Sequence, residues 1–287
     1  MSNELLISLA DCGSPESIIA CFLRHYPSLS APVPIEELAL AVNVNEIREL
    51  DAEGFEGALL TNEEKTSGVI LYRRGASGGR KRFTIAHELG HYLIPTHKGS
   101  RQCSAADLRV YRSSDAVRRQ EAEANRFAAG ILMPKPWFVS DMRRMGNAEL
   151  EHLLLLSERY ETSLAAVANR YAELTDDCCA FVFSRNNVVS YCRTSADFPK
   201  LGVAAGDSLP REGLLDLSNV SGRIPSRWLE LDSSVWLVSG TRTRRVMQQT
   251  LKQQTGFQIT LLFIDRENDE VDDEEEETKE QWTPRFR

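Results

Sequence analysis

The sequence predicts an α+β protein, and three observations support this class. Apolar residues recur at helical spacing in most segments before residue 175. From Cys179 onward, short runs rich in Val, Phe and Ile are separated by turn residues, a pattern typical of strands. The chain has 287 residues, which exceeds one typical domain, and its 42% hydrophobic content is sufficient for two cores.

The charge of the chain is concentrated in one terminal segment. The formal net charge is −8, but residues 267–280 alone contain ten acidic side chains and one lysine. The remainder of the chain is therefore close to neutral, with a net charge of +1. Because a dense block of like charges does not pack, we predict that residues 266–287 form a disordered acidic tail.

Cysteine usage and the absence of a leader indicate a cytoplasmic protein. The six cysteines form no C-x-x-C pair and no disulfide framework, which predicts reduced thiols and argues against a cysteine zinc site or a thiol protease. There is no apolar run of about 18 residues, and the N-terminus lacks a basic leader with an apolar core.

Local signals place helices and strands before the first chemical motif. Ser14 and Pro15 are typical of a helix start, and the pattern predicts helices at 15–26 and 34–42. Residues 55–60 and 68–72 are predicted as strands, followed by a glycine-rich loop at 75–79.

The most informative stretch runs from Phe83 to His91 and contains the motif His-Glu-x-x-His. On a helix, His87 and His91 lie one turn apart and direct two imidazoles to one point. This arrangement binds Zn²⁺ and leaves Glu88 to act as a base toward water. The alternative is a helix that carries two histidines by chance.

A second helical stretch supplies candidates for a third metal ligand. Residues 121–134 combine an apolar stripe with Glu121, Glu123 and Asn125. Glu121 falls nearer the centre of the stripe than Glu123, so Glu121 is the better ligand candidate. Asn125 is placed to hydrogen-bond a ligand imidazole. His97 and Tyr111, which lie between the motifs, are candidate donors to a developing oxyanion.

The two motifs together resemble the ImmA/IrrE family of zinc metallopeptidases. The likeness extends over roughly residues 15–175 and implies an N-terminal zincin-like metallopeptidase domain at 1–140. It implies that His87, His91 and Glu121 bind zinc and that Glu88 is the catalytic base. The spacing between the motifs is long for the family, which leaves Glu121 or Glu123 open as the third ligand.

The resemblance also implies a biological role. Family members are typically site-specific endopeptidases that cut a partner transcriptional repressor, often in mobile-element, phage or stress-response circuits. The expected partner is therefore a protein substrate, such as a helix-turn-helix repressor. If the substrate pairs with a sheet edge beside the metal, residues 69–71 are a candidate for that edge, although a buried strand is an equally ordinary interpretation.

The remainder of the chain divides into two predicted parts. Residues 141–176 form two helices joined by a tight turn, similar to a helix-turn-helix, but Asn169 and Arg170 are the only obvious DNA contacts, so DNA binding is not expected. Residues 177–265 are predicted as a smaller antiparallel-sheet α+β domain, similar to the GAF class, with a regulatory or docking role. Its predicted strands are 179–183, 188–192, 235–238 and 257–264, with a short helix at 244–254.

Two functions remain open from sequence. The first is a zinc endopeptidase, and the second is a non-catalytic DNA- or protein-binding regulator with a structural zinc site. Structural sites are normally closed by four protein ligands, whereas this sequence offers three, which leaves one position for water. The ligand count therefore favours the enzyme.

Overall fold

The computed structural model describes residues 2–52, 54–104, 116–213, 224–239, 245–253 and 256–265. The predicted acidic tail and Tyr111 lie outside these ranges. Within them the chain is α+β, as predicted, with helices concentrated before residue 175 and two sheets. The chain divides into unit 1, residues 1–140 and 156–167, and unit 2, residues 141–155 and 168–287.

The helices are mostly short and precede the second sheet. Their bounds are α1 Ser2–Ala10, α2 Pro15–His25, α3 Ile35–Ala41, α4 Gly78–Leu93, α5 Ala116–Leu132, α6 Lys135–Met145, α7 Leu150–Tyr160 and α8 Leu164–Leu174. Both predicted N-terminal helices are confirmed, and α2 begins at the expected cap, where the Ser14 side chain accepts a hydrogen bond from the backbone N–H of Ser17. Helix α1 was not predicted.

The sheet of unit 1 has four strands in the order β1, β3, β2, β4. Their bounds are β1 Val44–Leu50, β2 Gly57–Thr61, β3 Gly68–Arg73 and β4 Arg101–Cys103. Strand β3 pairs in parallel with β1 and antiparallel with β2, while β4 pairs antiparallel with the other side of β2. The prediction that residues 69–71 form a free edge is therefore wrong, because β3 has a neighbour on each side and the buried-strand alternative holds.

The sequence explains where the motif helix α4 begins and ends. The glycine-rich loop leads into α4 at Gly78, and the helix stops at Leu93 because Ile94 precedes Pro95, which disfavours the helical conformation. Ile85, Ala86 and Leu89 of α4 are fully buried in the core of unit 1, which also contains residues from α2, α3 and α5. The motif therefore lies inside the core and not on the surface.

Close packing between α4 and α5 depends on Gly90. A methyl group at this position would lie 2.9 Å from Cδ1 of Phe127 and 3.3 Å from the Cα of Ala124. The missing side chain therefore lets α5 approach the backbone of α4, one residue before His91.

Unit 2 contains a five-stranded antiparallel sheet in the order β6, β5, β9, β8, β7. The strands are β5 Cys179–Arg185, β6 Val188–Thr194, β7 Leu229–Asp232, β8 Arg245–Lys252 and β9 Phe257–Phe263. The predicted hairpin is confirmed, because Asn186 and Asn187 have positive φ angles of 51° and 64°, as a tight two-residue turn requires. Likeness to the GAF class remains a prediction.

The predicted helix at 244–254 is wrong, because Arg245–Lys252 of this segment form strand β8 between β7 and β9. Its buried Gln248 is satisfied inside the sheet domain: it accepts a hydrogen bond from Nε1 of Trp236 at 2.8 Å and donates one to the carbonyl of Gly213 at 2.8 Å. In the sequence, the glutamines of β8 resemble the exposed face of a helix. Only their hydrogen-bond partners from distant parts of the chain show that they are buried.

The predicted strand at 235–238 is also wrong. A short 3₁₀ helix spans Ser233–Val235, because Asp232 accepts a hydrogen bond from the backbone N–H of Ser234 at 2.8 Å and closes a turn. Trp236 and Leu237, which follow this turn, are buried in the core of unit 2.

The two helices of the predicted helix-turn-helix are present as α7 and α8, and the division between the units falls within each of them. Arg170 is buried and its Nη1 donates to Oε2 of Glu173 at 2.8 Å, so this candidate DNA contact is engaged in an ion pair within its own helix. Among the described residues, no helix is long and apolar enough to cross a membrane.

Replacing Gly90 by alanine is expected to destabilise the protein. The added methyl group must displace Phe127, which costs about 1–3 kcal/mol, and the better helix propensity of alanine offsets at most about 1 kcal/mol. Urea unfolding measures the change. Gly78→Ala is the control, because nothing lies within 4 Å of its added methyl group. A Gly90→Ala protein as stable as wild type would contradict this packing.

Candidate metal centre

Helix α4 directs two imidazoles to one point. His87 and His91 lie one turn apart, and both side chains are buried. Their Nε2 atoms are 3.1 Å apart and their rings meet nearly edge-on, at 80°. The four-residue spacing of the motif has therefore produced a pair of converging nitrogen donors.

Helix α5 adds a carboxylate to this pair. Oε2 of Glu121 lies 3.3 Å from Nε2 of His87 and 3.3 Å from Nε2 of His91. The residue is only 4% exposed, so the carboxylate is enclosed with the two rings. Glu121 is thus placed where the sequence argument put the third donor.

The environment favours the protonation states that metal binding requires. Burial lowers the pKa of His91 to about 3, which its contact with Glu121 offsets only in part, so the imidazole is neutral at neutral pH. Burial tends to raise the pKa of Glu121, but the close contacts with His87 and His91 outweigh burial and hold the pKa below its ordinary value. Neutral imidazoles and an ionised carboxylate are the forms that bind a cation.

Asn125, one turn beyond Glu121, orients the first imidazole. Its Oδ1 lies 2.9 Å from Nδ1 of His87. Because an amide oxygen can only accept, Nδ1 carries the proton and Nε2 presents its lone pair to the cluster. Asn125 is therefore placed as the sequence predicted.

Glu123 has a different place from Glu121. Its Oε2 lies 3.0 Å from Nε2 of His97, and Nδ1 of His97 lies 2.9 Å from Nδ1 of His91. If Nδ1 of His91 donates to Nδ1 of His97 and Nε2 of His97 donates to Glu123, each of these hydrogen bonds has one donor and one acceptor. Nε2 of His91 then has a lone pair for a metal. His97 therefore orients His91, which differs from its predicted role as an oxyanion donor.

Glu88 is buried beside the start of strand β2. A methyl group at Gly57 would lie 2.6 Å from Oε1 of Glu88 and 2.5 Å from Cγ2 of Thr84. The carboxylate of Glu88 therefore occupies the space that the missing side chain of Gly57 leaves. Position 57 was not singled out from sequence, because a glycine at the start of a strand also fits an ordinary turn.

Strand β4 brings a fourth donor that sequence reasoning missed. Sγ of Cys103 lies 3.9 Å from Nε2 of His91 and 3.9 Å from Oε2 of Glu121, and the residue is buried. His87, His91, Cys103 and Glu121 present ligand atoms that all lie within 4.8 Å of one another. The sequence-based count of three available donors is therefore incomplete.

No local signal in the sequence points to Cys103. It lies twelve residues after His91 and eighteen before Glu121, without a paired cysteine or a recognised spacing. Only the pairing of β4 with β2 places it, and a three-residue strand has too little pattern to be predicted. A single cysteine between two metal motifs was the one available hint.

The donor set fits a small divalent cation. With Zn–N and Zn–O distances of about 2.0–2.1 Å, tetrahedral ligands lie roughly 3.3 Å apart. The observed separations among His87, His91 and Glu121 are 3.1, 3.3 and 3.3 Å. This buried group can therefore hold a metal ion with little rearrangement.

Comparisons with known proteins agree with this architecture. No curated protein matches the sequence. Among solved structures, the chain is similar to a Mycobacterium tuberculosis transcriptional regulator, with a TM-score of 0.55, 13% identity and coverage of 89% of each chain, and at this identity the likeness shows the fold alone.

Residues 45–171 match the peptidase M78 family, described as the IrrE N-terminal-like domain. The matched range contains the whole sheet of unit 1 and both helices of the donor cluster, except for the first residue of β1. The family resemblance predicted from the two motifs is therefore confirmed: residues 45–171 belong to the IrrE N-terminal-like family.

Proposed function

We propose that this protein is a zinc-dependent, site-specific endopeptidase that cleaves a partner protein. The observation that carries the proposal is the buried convergence of His87, His91 and Glu121, with the buried residue Glu88 directly after His87 in the chain. Two imidazoles and one carboxylate are the donor set of a well-known class of zinc peptidases, and the neighbouring glutamate supplies the base.

Within this proposal, Glu121 and not Glu123 is the third ligand. The carboxylate of Glu121 is equidistant from both imidazole nitrogens, whereas Glu123 is engaged with His97. Removing Glu123 would loosen the orientation of His91, whereas removing Glu121 would delete a donor.

In the proposed peptide-bond hydrolysis, the metal and the protein side chains have different roles. Zinc in this site would acidify water and polarise the peptide carbonyl. Glu88 accepts the proton of the attacking water and returns it to the leaving amine. Its burial beside Gly57 fixes the carboxylate, while Asn125 and His97 hold the two imidazoles in the tautomers that leave Nε2 for the metal.

The proposed substrate is a single protein, with a helix-turn-helix repressor as the leading candidate. The family resemblance supports a repressor, in a stress-response or mobile-element circuit. We assign the antiparallel-sheet domain of unit 2 a sensing or docking role, because it carries no catalytic motif of its own.

A second function has support from one observation. The proximity of Cys103 gives the centre four potential protein donors, which is the pattern of a structural zinc site in a non-catalytic regulator. Glu88 argues against this alternative. Burying a carboxylate is unfavourable, and a structural site has no use for one beside the metal. The peptidase therefore accounts for more of the site.

Metal binding should depend far more on Glu121 than on Glu123. Glu121→Ala removes a donor and is expected to lose bound zinc on purification. Glu123→Ala retains the donors and is expected to bind one zinc with affinity lowered by about 10–100-fold. Metal analysis and competition with a chelator measure both. A Glu121→Ala protein with wild-type affinity, beside a Glu123→Ala protein without zinc, would reverse the ligand assignment.

Glu88→Gln should remove cleavage while the protein keeps its fold and its zinc. Glutamine can hydrogen-bond water but cannot accept its proton, so the rate should fall by at least about 10²–10⁴-fold. The assay is incubation with helix-turn-helix repressors encoded beside the gene and with a proteome-derived peptide library, followed by mass spectrometry. Products that persist with the Glu88→Gln protein would refute the mechanism. Digestion of casein at a comparable rate would refute the narrow specificity.

A further inference from the structure

Strand β4 holds Cys103 against the proposed catalytic centre. Cys103 pairs with Gly57 of β2, and its carbonyl accepts a hydrogen bond from the backbone N–H of Glu56 at 3.2 Å. Its side chain is 1% exposed and its sulfur faces His91 and Glu121. The backbone pairing therefore fixes the thiol beside the other donors.

The position of the sulfur is close to that of a fourth tetrahedral ligand. With a Zn–S distance of about 2.3 Å, a thiolate lies roughly 3.6 Å from the nitrogen and oxygen ligands. The observed distances of 3.9 Å to His91 and Glu121 exceed this value slightly, and the sulfur lies within 4.8 Å of the donor atom of His87, so coordination requires the sulfur to move toward the other donors. Thiolate is also a preferred ligand for zinc, so a bound ion would draw the sulfur inward.

The same strand covers the edge of the sheet beside the centre. Strand β4 pairs with the outer side of β2, whose other side is occupied by β3. A substrate that added to β2 as an extended strand would have to take the place of β4. Cys103 of β4 pairs with Gly57 of β2, and Gly57 in turn leaves the space that holds the carboxylate of Glu88. The covering strand, the potential fourth donor and the proposed base are therefore neighbours.

We propose that Cys103 is the fourth ligand of the bound metal in the resting protein and that β4 thereby keeps the peptidase latent. The inference rests on the proposed peptidase function and adds its regulation. Catalytic zinc sites keep one position open, whereas four protein ligands close it. Cleavage then requires Cys103 to leave the metal, and release of β4 from β2 would free the sheet edge for substrate in the same movement.

Cobalt substitution in the full-length protein tests the ligand directly. A thiolate ligand produces a sulfur-to-cobalt charge-transfer band in the near ultraviolet, which nitrogen and oxygen ligands do not. The band is expected for wild type and absent for Cys103→Ala, which should still bind one cobalt ion. The affinity of this variant for zinc should fall by at least about tenfold, because removing even a hydrogen-bond partner of a metal ligand has an effect of this size.

A matched control distinguishes coordination from the general loss of a buried thiol. Cys21 is also fully buried in unit 1 but belongs to its apolar core, so Cys21→Ala should keep the band. Cys103→Ser is the second variant if Cys103→Ala does not fold, because its hydroxyl is nearly isosteric and a poor zinc ligand. A wild-type protein without the band, or a Cys103 variant that retains it, would overturn the proposal.

Latency is tested by measuring the cleavage rates of the same proteins with the repressors and the peptide library. A minor open form is typically about 0.1–10% populated, so Cys103→Ala should cleave at least about tenfold faster than wild type. Cleavage that is unchanged or slower would overturn latency. If the band behaves as expected but no variant shows Glu88-dependent cleavage, the peptidase function itself fails and Cys103 belongs to a closed structural site.

Discussion

The close contact between α4 and α5 is the constraint on which the centre depends. Neither helix contains a complete donor set: α4 carries two histidines, and α5 carries Glu121 and the amide of Asn125. Because Gly90 has no side chain, Phe127 of α5 packs directly against the backbone of α4. His91 and Glu121, thirty residues apart in sequence, therefore meet at a distance of 3.3 Å.

This arrangement concentrates polar groups in the core of unit 1, where each must be satisfied. Unpaired burial of imidazoles and carboxylates is strongly unfavourable, which explains the extent of the surrounding hydrogen bonds. Asn125 engages His87, and the chain through His97 to Glu123 engages His91. The outward nitrogens are thus used for orientation and the inward nitrogens converge, which is the electrostatic pattern of a cation site.

Sequence reasoning succeeded where the geometry is encoded locally. The spacing of His87 and His91 fixes their geometry on any helix, and the stripe of α5 determined which glutamate faces inward. The paired asparagines at 186 and 187 also specify a hairpin through their backbone preferences alone.

It failed where long-range pairing decides the outcome. Strand β8 contains buried glutamines whose partners lie far away in sequence, so its pattern resembled a helix. Strand β3 is central because β1 pairs with one side of it and β2 with the other, and nothing in residues 69–71 themselves predicts this position. For the same reason the three-residue β4, and with it Cys103, could not be placed without the sheet.

The strand missed from sequence is also the element that most changes the interpretation of the site. Three donors imply an open metal, whereas a fourth donor on the sheet edge implies a centre that the protein can close. A cysteine placed by only three residues of pairing is held more weakly than donors on two helices of 16 and 17 residues, since a short edge strand has few hydrogen bonds to lose. The centre thus combines donors on two helices, α4 and α5, with one potential donor on a short edge strand. This asymmetry fits the proposed latency, because the donors on α4 and α5 could stay assembled while access to the metal changes.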